Sequence, residues 1–177
     1  MKVTDTILPG VRIIEPRVFG DTRGFFLESF SLRRYRDEVG IETPFVQDNV
    51  SQSIRGTLRG LHFQRTRPQG KLIQVIAGSV FDVVADIDPT SVTYGQHVAM
   101  KLSANNHRQV WVPPGYAHGF CVTSDIAIFQ YKCTDYYDPD DEGGIAWDCP
   151  ILDIPWPTRQ PILSAKDQRL PGLPDKA

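Results

Sequence analysis

The chain has 177 residues, of which 41% are hydrophobic and 23% are charged. This ordinary globular composition excludes a disordered chain and is enough for one domain with its own core. The formal net charge is −2, from 19 basic and 21 acidic residues. That balance gives no support to a nucleic-acid-binding protein or to one that docks on anionic membranes, since both favour a basic surface.

Signals for membrane insertion and export are also lacking in the sequence. No run approaches the roughly 18 apolar residues that span a bilayer, and Met1–Asp5 does not open an apolar secretory signal. The three cysteines, Cys121, Cys133 and Cys149, are odd in number and show no C-x-x-C spacing. We therefore expect free, buried thiols and a cytoplasmic protein, folded as a single domain over residues 1–177.

Turn residues divide the chain into short strands and one helix. Ser31 is suited to cap a helix over Leu32–Val39, which Gly40 would end. The strands that alternation and β-branched residues predict are Val11–Glu15, Phe25–Phe30, Phe45–Ser53, Lys71–Ala77, Ser79–Ile87, His97–Leu102, Gln109–Val112, His118–Val122 and Ile126–Thr134. A Pro-rich segment follows from about Pro150 onward.

The strand pattern favours an antiparallel all-β fold. In Lys71–Ala77 and Phe81–Ile87, apolar residues occupy both parities, as in strands that are covered on both faces. Turn signals recur at short intervals, and there are almost no segments that could serve as crossover helices. We predict a β-sandwich or jelly roll with a few short helices and exclude a βαβ architecture.

His62 lies in a strand-like run from Gly56 to Gln64. Strict alternation would place Arg59 and His62 on opposite faces of this strand. The two side chains can share a site only if a bulge occurs at Gly60, a residue type that often marks a bulge or a close approach. The alternative interpretation is a hydrogen-bonded core histidine.

His118 follows a Pro-Pro-Gly turn, and the Pro-x-Gly-x-x-His spacing resembles the second half of the metal motif of cupins, which are double-stranded β-helix jelly rolls. The counterpart of the first half is His62-Phe63-Gln64, without a second histidine, and Val122 stands where that motif has a further polar residue. Two histidines make a poor transition-metal site. The resemblance therefore implies a cupin scaffold that binds no metal.

A barrel of this kind suits proton transfer by a histidine, since imidazole titrates near neutral pH. Asp167 could orient such a base, Lys71 and Arg59 could hold an oxyanion, and Tyr131 could donate a proton. Each of these side chains taken singly has a structural explanation: a strand tyrosine usually packs, and a lysine at a strand start is usually solvated.

Several motifs together resemble the dTDP-4-dehydrorhamnose 3,5-epimerase family. They span about Arg23 to Asp167, nearly the whole chain, in the family's order. They are Asp21–Phe26, Gln47–Ser51, Leu58–Gln64, Gln69–Leu72, Trp111–Phe120, Tyr131–Tyr137 and Leu163–Asp167. The resemblance implies an enzyme without cofactor or metal that acts on a dTDP-sugar, folded as a homodimer with strands exchanged between subunits.

The resemblance also assigns roles to individual residues. His62 matches the general base, Asp167 its orienting carboxylate, and Tyr131 the proton donor. Lys71 and Arg59 match residues near the C4 oxygen of the sugar. The remaining positions that match substrate contacts are Arg23, Glu28, Gln47, Asp48, Asn49, His118, Tyr137, Glu142 and Lys166, with Tyr137 matching an aromatic that stacks on thymine.

Three alternatives stay open at the level of sequence. The first is an epimerase that inverts only C3 or only C5 of another dTDP-4-keto-6-deoxysugar. The second is a metal-dependent cupin with oxygenase or isomerase activity. The third is a non-catalytic sugar-binding jelly roll, which would have no use for both a base and an acid.

Overall fold

A computed structural model describes residues 1–175, so the last two positions of the predicted domain 1–177 lie outside the described residues. The strands are β1 Lys2–Asp5, β2 Arg12–Glu15, β3 Val18–Asp21, β4 Gly24–Leu27, β5 Gln47–Ile54, β6 Leu58–Gln64, β7 Lys71–Ala77, β8 Ser79–Asp86, β9 His97–Ser103, β10 Gln109–Val112, β11 Tyr116–Val122, β12 Ile126–Cys133 and β13 Glu142–Gly144. Within this part of the chain, no helix is both long and apolar enough to cross a membrane.

Two antiparallel sheets form the body of the protein. One has the strand order β1-β2-β10-β7-β12-β5, and the other has the order β13-β6-β11-β8-β9. Strands β3 and β4 form a separate hairpin. This arrangement confirms the predicted all-β, cupin-like jelly roll.

Apolar side chains fill the space between the sheets and also cover parts of their outer faces. Ile73 and Phe129 of one sheet meet Val84 and Phe120 of the other in the central cluster. Leu72 instead points to an outer cluster that holds the helical segment. These strands carry apolar residues at both parities because both of their faces are covered, as the sequence predicted.

The predicted helix is present, but its second half is wider than expected. Leu32–Arg34 is α-helical, and Tyr35–Val39 continues as a π-helical turn. Ser31 accepts a hydrogen bond from the backbone of Arg34, and Gly40 ends the turn with φ +79°. The cap and the stop thus lie where the sequence predicts them.

Strand bounds differ from the predictions mainly at the N-terminal part of the chain. The predicted strand Phe25–Phe30 is the shorter β4, paired with β3, which was not predicted. The short strands β1 and β13 were also missed. These missed strands are three or four residues long, too short to show a clear alternation.

The register of β6 and β11 contains the irregularity that a shared site for Arg59 and His62 requires. His62 lies opposite His118, whereas Arg59 lies opposite Phe120, so β6 carries one extra residue between these pairs. Gly60 occupies this bulge with φ +132°, and a Cβ there would lie 2.5 Å from the Cα of Gly119. Only glycine fits this close approach, and Arg59 and His62 consequently face the same side.

Candidate active site

A cavity of about 670 Å³ opens at the end of the jelly roll where β7 begins, a volume suited to a small-molecule ligand. Inward-facing residues of both sheets line it, together with the C-terminal segment, which we define as residues 162–173. Of the residues that the sequence singled out, those that line this pocket are Asn49, Arg59, His62, Lys71, His118, Tyr131, Lys166 and Asp167.

His62 and Asp167 form a close pair in the pocket. The Nε2 atom of His62 lies 2.7 Å from Oδ1 of Asp167, whose side chain is only 3% exposed. Burial alone would raise the pKa of Asp167, but the hydrogen bond to His62 and the hydrogen bond to Ser164 outweigh it and lower that pKa. An ionised carboxylate only accepts hydrogen bonds, so Nε2 of His62 carries a hydrogen, and in the neutral form of the ring the lone pair lies on Nδ1.

The C-terminal segment holds Asp167 in place, although it contains little regular structure. Ile162 pairs in parallel with Thr57, beside β6. A 3-10 turn follows at Asp167–Arg169, and its backbone N–H at Asp167 donates to Oγ of Ser164. Leu173 is buried against the outer face of the five-stranded sheet. The segment is therefore fixed on both sides of Asp167.

Lys71 and Tyr131 approach the pocket from the six-stranded sheet. Burial raises the pKa of Tyr131 to about 12, which keeps the phenol protonated and able to donate. Burial also lowers the pKa of Lys71, and the nearby ionisable groups Cys133, Glu142 and Asp82 oppose that shift in part. The pocket thus joins a neutral donor and a desolvated lysine on one wall with His62 on the other.

Arg59 adds a second cation and is held by a residue that the sequence did not suggest. Its Nε donates to Oγ of Ser53, at 3.0 Å. Ser53 lies on β5 with the same parity as Asn49, which lines the pocket. The anchored Nε leaves the two terminal nitrogens of the guanidinium group for a ligand.

A group of linked side chains stands beside the pocket and extends its edge. Oε2 of Glu142 accepts hydrogen bonds from Tyr137, at 2.9 Å, and from Lys166, at 2.6 Å. Burial would raise the pKa of Glu142, but these two donors lower it. Gln47 accepts from the backbone N–H of Tyr137 and donates to Asn49. Glu142 and Gln47 thus touch pocket residues, and Tyr137 is bonded to both of them, although none of the three lines the cavity.

Three of the predicted substrate contacts lie away from this cavity. Asp48 has the opposite parity to Asn49 on β5 and pairs with Lys132 at 2.8 Å. Arg23 lies on the β3–β4 hairpin, is 88% exposed and pairs with Asp21. Glu28 follows the hairpin and pairs with Arg34. The fold of one chain does not bring these three residues to the pocket.

A second histidine–carboxylate pair lies in the same end of the barrel. Nε2 of His118 is 2.9 Å from Oδ2 of Asp82, and both side chains are buried. Asp82 was not predicted as a site residue, although a carboxylate among the apolar residues of β8 was a usable signal. Ser53 and Ser164 were missed as well, and nothing in the sequence distinguishes these serines from ordinary polar residues.

The donor set of the site can be compared with that of a metal centre. Among residues 1–175, no group of three or more His, Cys, Asp or Glu side chains is arranged to hold a metal ion. Each pocket histidine directs its Nε2 to a buried carboxylate. The residues present therefore suit hydrogen bonding and proton transfer better than coordination.

Comparison with known proteins identifies the family. A model of the dTDP-4-dehydrorhamnose 3,5-epimerase family matches residues 5–175. The chain belongs to this family. The dTDP-4-dehydrorhamnose 3,5-epimerase of Escherichia coli is 52% identical over 96% of this chain and 93% of its own length.

The structural relatives of this dTDP-4-dehydrorhamnose 3,5-epimerase family member agree with the sequence comparison. The dTDP-6-deoxy-D-glucose-3,5-epimerase of Legionella pneumophila, solved in complex with dTDP-4-keto-L-rhamnose, has a TM-score of 0.94 and is 50% identical, covering 97% of this chain and 92% of its own. Among the sequence relatives, a dTDP-4-dehydrorhamnose 3-epimerase of Streptomyces niveus is 38% identical over 95% of this chain and 82% of its own length. The resemblance seen in the sequence is thereby confirmed.

Proposed function

We propose that this protein converts dTDP-4-dehydro-6-deoxy-D-glucose to dTDP-4-dehydro-L-rhamnose by inverting C3 and C5, without a cofactor. The observation that carries the proposal is the joint presence of His62, Asp167, Lys71 and Tyr131 in one pocket. Relatives of about 50% identity that carry the 3,5-epimerase name support it.

The reaction suits this set of residues because the substrate supplies its own electron sink. The 4-keto group acidifies the C–H bonds at C3 and C5. Removal of either proton forms an enolate whose charge lies on the C4 oxygen, and return of a proton to the opposite face inverts the carbon. The protein has to provide a base, an acid and stabilisation of the oxyanion.

His62 is the proposed base and Tyr131 the proposed acid. With Nε2–H held by Asp167, Nδ1 of His62 takes the proton from carbon, and Asp167 stabilises the resulting imidazolium. Tyr131 returns a proton from the phenol. His62 belongs to the five-stranded sheet and Tyr131 to the six-stranded sheet, so the two groups reach the sugar from different walls.

The cations of the pocket are proposed to stabilise negative charge. Lys71 would contact the C4 oxygen as the enolate forms, together with Arg59. Loss of one such donor typically costs on the order of 3–4 kcal/mol of barrier. His118 and Lys166 would hold the sugar and diphosphate, and Asn49, Gln47, Glu142 and Tyr137 would bind the nucleotide end, with Tyr137 stacking on thymine.

A homodimer is proposed to complete the site. Phe25 and Phe26 on the β3–β4 hairpin are 63% and 68% exposed, and Val50 and Ile54 on the edge strand β5 are 67% and 58% exposed. Exposed apolar surface of this extent is typical of protein interfaces. A second copy seated there would cover it and would bring Arg23, Glu28 and Asp48 near a neighbouring pocket.

We also propose that the protein lies in the cytoplasm and binds no metal. Cys121, Cys133 and Cys149 are free and buried, which fits a reducing compartment such as the cytoplasm. Stoichiometric iron, manganese or zinc in the purified active protein would instead support the metal-dependent cupin.

The test is proton NMR of the purified protein with dTDP-4-dehydro-6-deoxy-D-glucose in D2O. We expect deuterium to enter at both C3 and C5 and the L-rhamno product to form. Exchange at a single carbon would replace the proposal with a single-centre epimerase, the reaction named for the relative from Streptomyces niveus. Absence of exchange would reject this substrate.

A further inference from the structure

Asp82 is a buried carboxylate in the inner face of β8 that the proposed chemistry does not use. It has the parity of Val80 and Val84, which belong to the central apolar cluster, and it is 0% exposed. Its Oδ2 lies 2.9 Å from Nε2 of His118, but Oδ1 is buried without a hydrogen-bond partner among residues 1–175. A lone buried oxygen of this kind is costly and calls for a functional explanation.

The ring of His118 is held from two sides. Asp82 contacts its Nε2, and the ring of Phe129 stacks beside it, with centroids 6.0 Å apart and planes 25° apart. Since a carboxylate accepts, Nε2 carries the hydrogen. Nδ1 is then the ring nitrogen without a partner among the described residues, and His118 lines the pocket.

We propose that Asp82 is a positioning residue for the epimerisation, which fixes His118 with Nδ1 toward the substrate. With the hydrogen of the ring held on Nε2, Nδ1 of His118 accepts a hydrogen bond from a sugar hydroxyl. The inference rests on the proposed function, because the role of His118 is taken from that reaction.

The first test measures the tautomer of His118 in the wild-type protein by 15N NMR, with the His118→Asn variant used to assign the signals. We expect protonated Nε2 and unprotonated Nδ1 at pH values where the ring is neutral. A His118 ring with its hydrogen on Nδ1 would overturn the proposal. This measurement needs no substrate and no Asp82 variant, so it separates a failure of this inference from a failure of the proposed reaction.

The second test is Asp82→Asn, which keeps the shape of the side chain and removes its charge. We expect kcat to fall about tenfold or more, by analogy with the loss that follows removal of the partner that orients a metal-ligating histidine. The 15N signals of His118 should lose the fixed Nε2–H tautomer, because an amide can donate as well as accept. A variant with wild-type kcat and unchanged His118 signals would overturn the proposal.

Asp86→Asn is the matched control. Asp86 lies on the same strand and is 2% exposed, but its carboxylate accepts from Ser91 and Thr93 in the following loop. We expect a similar loss of thermal stability with unchanged kcat and His118 signals. Equal losses of kcat in both variants would assign the effect to general disturbance of β8 and would refute the specific role of Asp82.

Discussion

The contact between His62 and Asp167 joins residues 105 positions apart, and we propose that it prepares His62 to act as a base. We predict that His62→Ala lowers kcat by about a hundredfold or more, since general acid–base catalysis contributes roughly 10²–10⁴-fold. The fold should persist, because His62 is partly exposed and lies outside the apolar clusters. Steady-state kinetics and thermal denaturation measure the two effects.

The control for this variant is His97→Ala, which replaces a histidine of β9 that does not line the pocket. It should retain wild-type kcat. A near-normal rate in His62→Ala would remove His62 from the role of base, and an equal loss in both variants would point to a general effect on stability.

Tyr131 is expected to act after the first proton has left the sugar. We predict that Tyr131→Phe slows formation of the inverted product more than it slows entry of solvent deuterium, because His62 still removes and returns protons on its own face. Parallel NMR measurements of deuterium entry and of product give the ratio of the two rates. Equal loss of both would contradict a role of Tyr131 as a donor in the second step.

Much of this site could be predicted from single residues and motifs, and the rest required contacts that spacing does not reveal. His62 and Arg59 could be placed on one face only by assuming a bulge at Gly60, which the register contains. Asp82 escaped notice because an acid in an apolar strand looks like an interruption of the pattern. Its pairing with His118 requires β8 and β11 to be neighbours in the sheet, and the alternation of apolar and polar residues within each strand does not predict that.

At the scale of elements, the C-terminal segment is the part that composition describes least well. It belongs to the Pro-rich stretch that begins at about Pro150 and shows no regular periodicity, so no element was predicted there. Long-range contacts hold it instead: Ile162 pairs beside β6, Pro171 accepts from the backbone of Ala146, and Leu173 donates to Sγ of Cys149. These contacts carry Asp167 to His62.

We predict that Leu173→Ala lowers kcat roughly tenfold as well as stability. Leu173 is 7% exposed in the apolar cluster on the outer face of the five-stranded sheet, and truncation of such a side chain typically costs about 2–5 kcal/mol. The loosened segment would let Asp167 drift from His62, and small misplacements of catalytic groups are costly. Urea denaturation and kcat are the measurements.

Leu152→Ala provides the comparison, because Leu152 belongs to the same cluster and is 2% exposed but lies outside the C-terminal segment. It should lose similar stability and keep its kcat. If the two variants lose kcat equally, the segment has no special part in positioning Asp167.

Within one chain of the whole molecule, the residues proposed to bind the nucleotide-sugar are divided between the pocket and the exposed β3–β4 hairpin. The pocket holds His62 and Lys71, whereas Arg23 stands on an exposed hairpin that contacts the loop at His107 through Phe25. The resemblance assigns Arg23 to the substrate, and the placement within one chain does not. A dimer in which each hairpin reaches the other subunit's pocket reconciles the two observations and also covers the exposed phenylalanines.

This arrangement predicts complementation between two variants that are each impaired at low substrate concentration. Arg23→Ala should raise KM more than it lowers kcat, because a nucleotide contact contributes mainly to binding, and His62→Ala should be nearly inactive. When the two are co-refolded in equal amounts and assayed at low substrate, about half of the dimers are mixed, and one site in each mixed dimer receives an intact His62 and an intact Arg23. Activity should therefore return to about a quarter of the wild-type value.

The pair Lys71→Ala and His62→Ala serves as the control, since both residues line the same pocket of one chain. Their mixed dimers hold no pocket with both residues intact, so activity should stay at the level of the separate variants. If the Arg23→Ala mixture also shows no recovery although mixed dimers form, Arg23 acts on its own chain or not at all. A chain that sediments as a monomer at the assay concentration would exclude the shared site altogether.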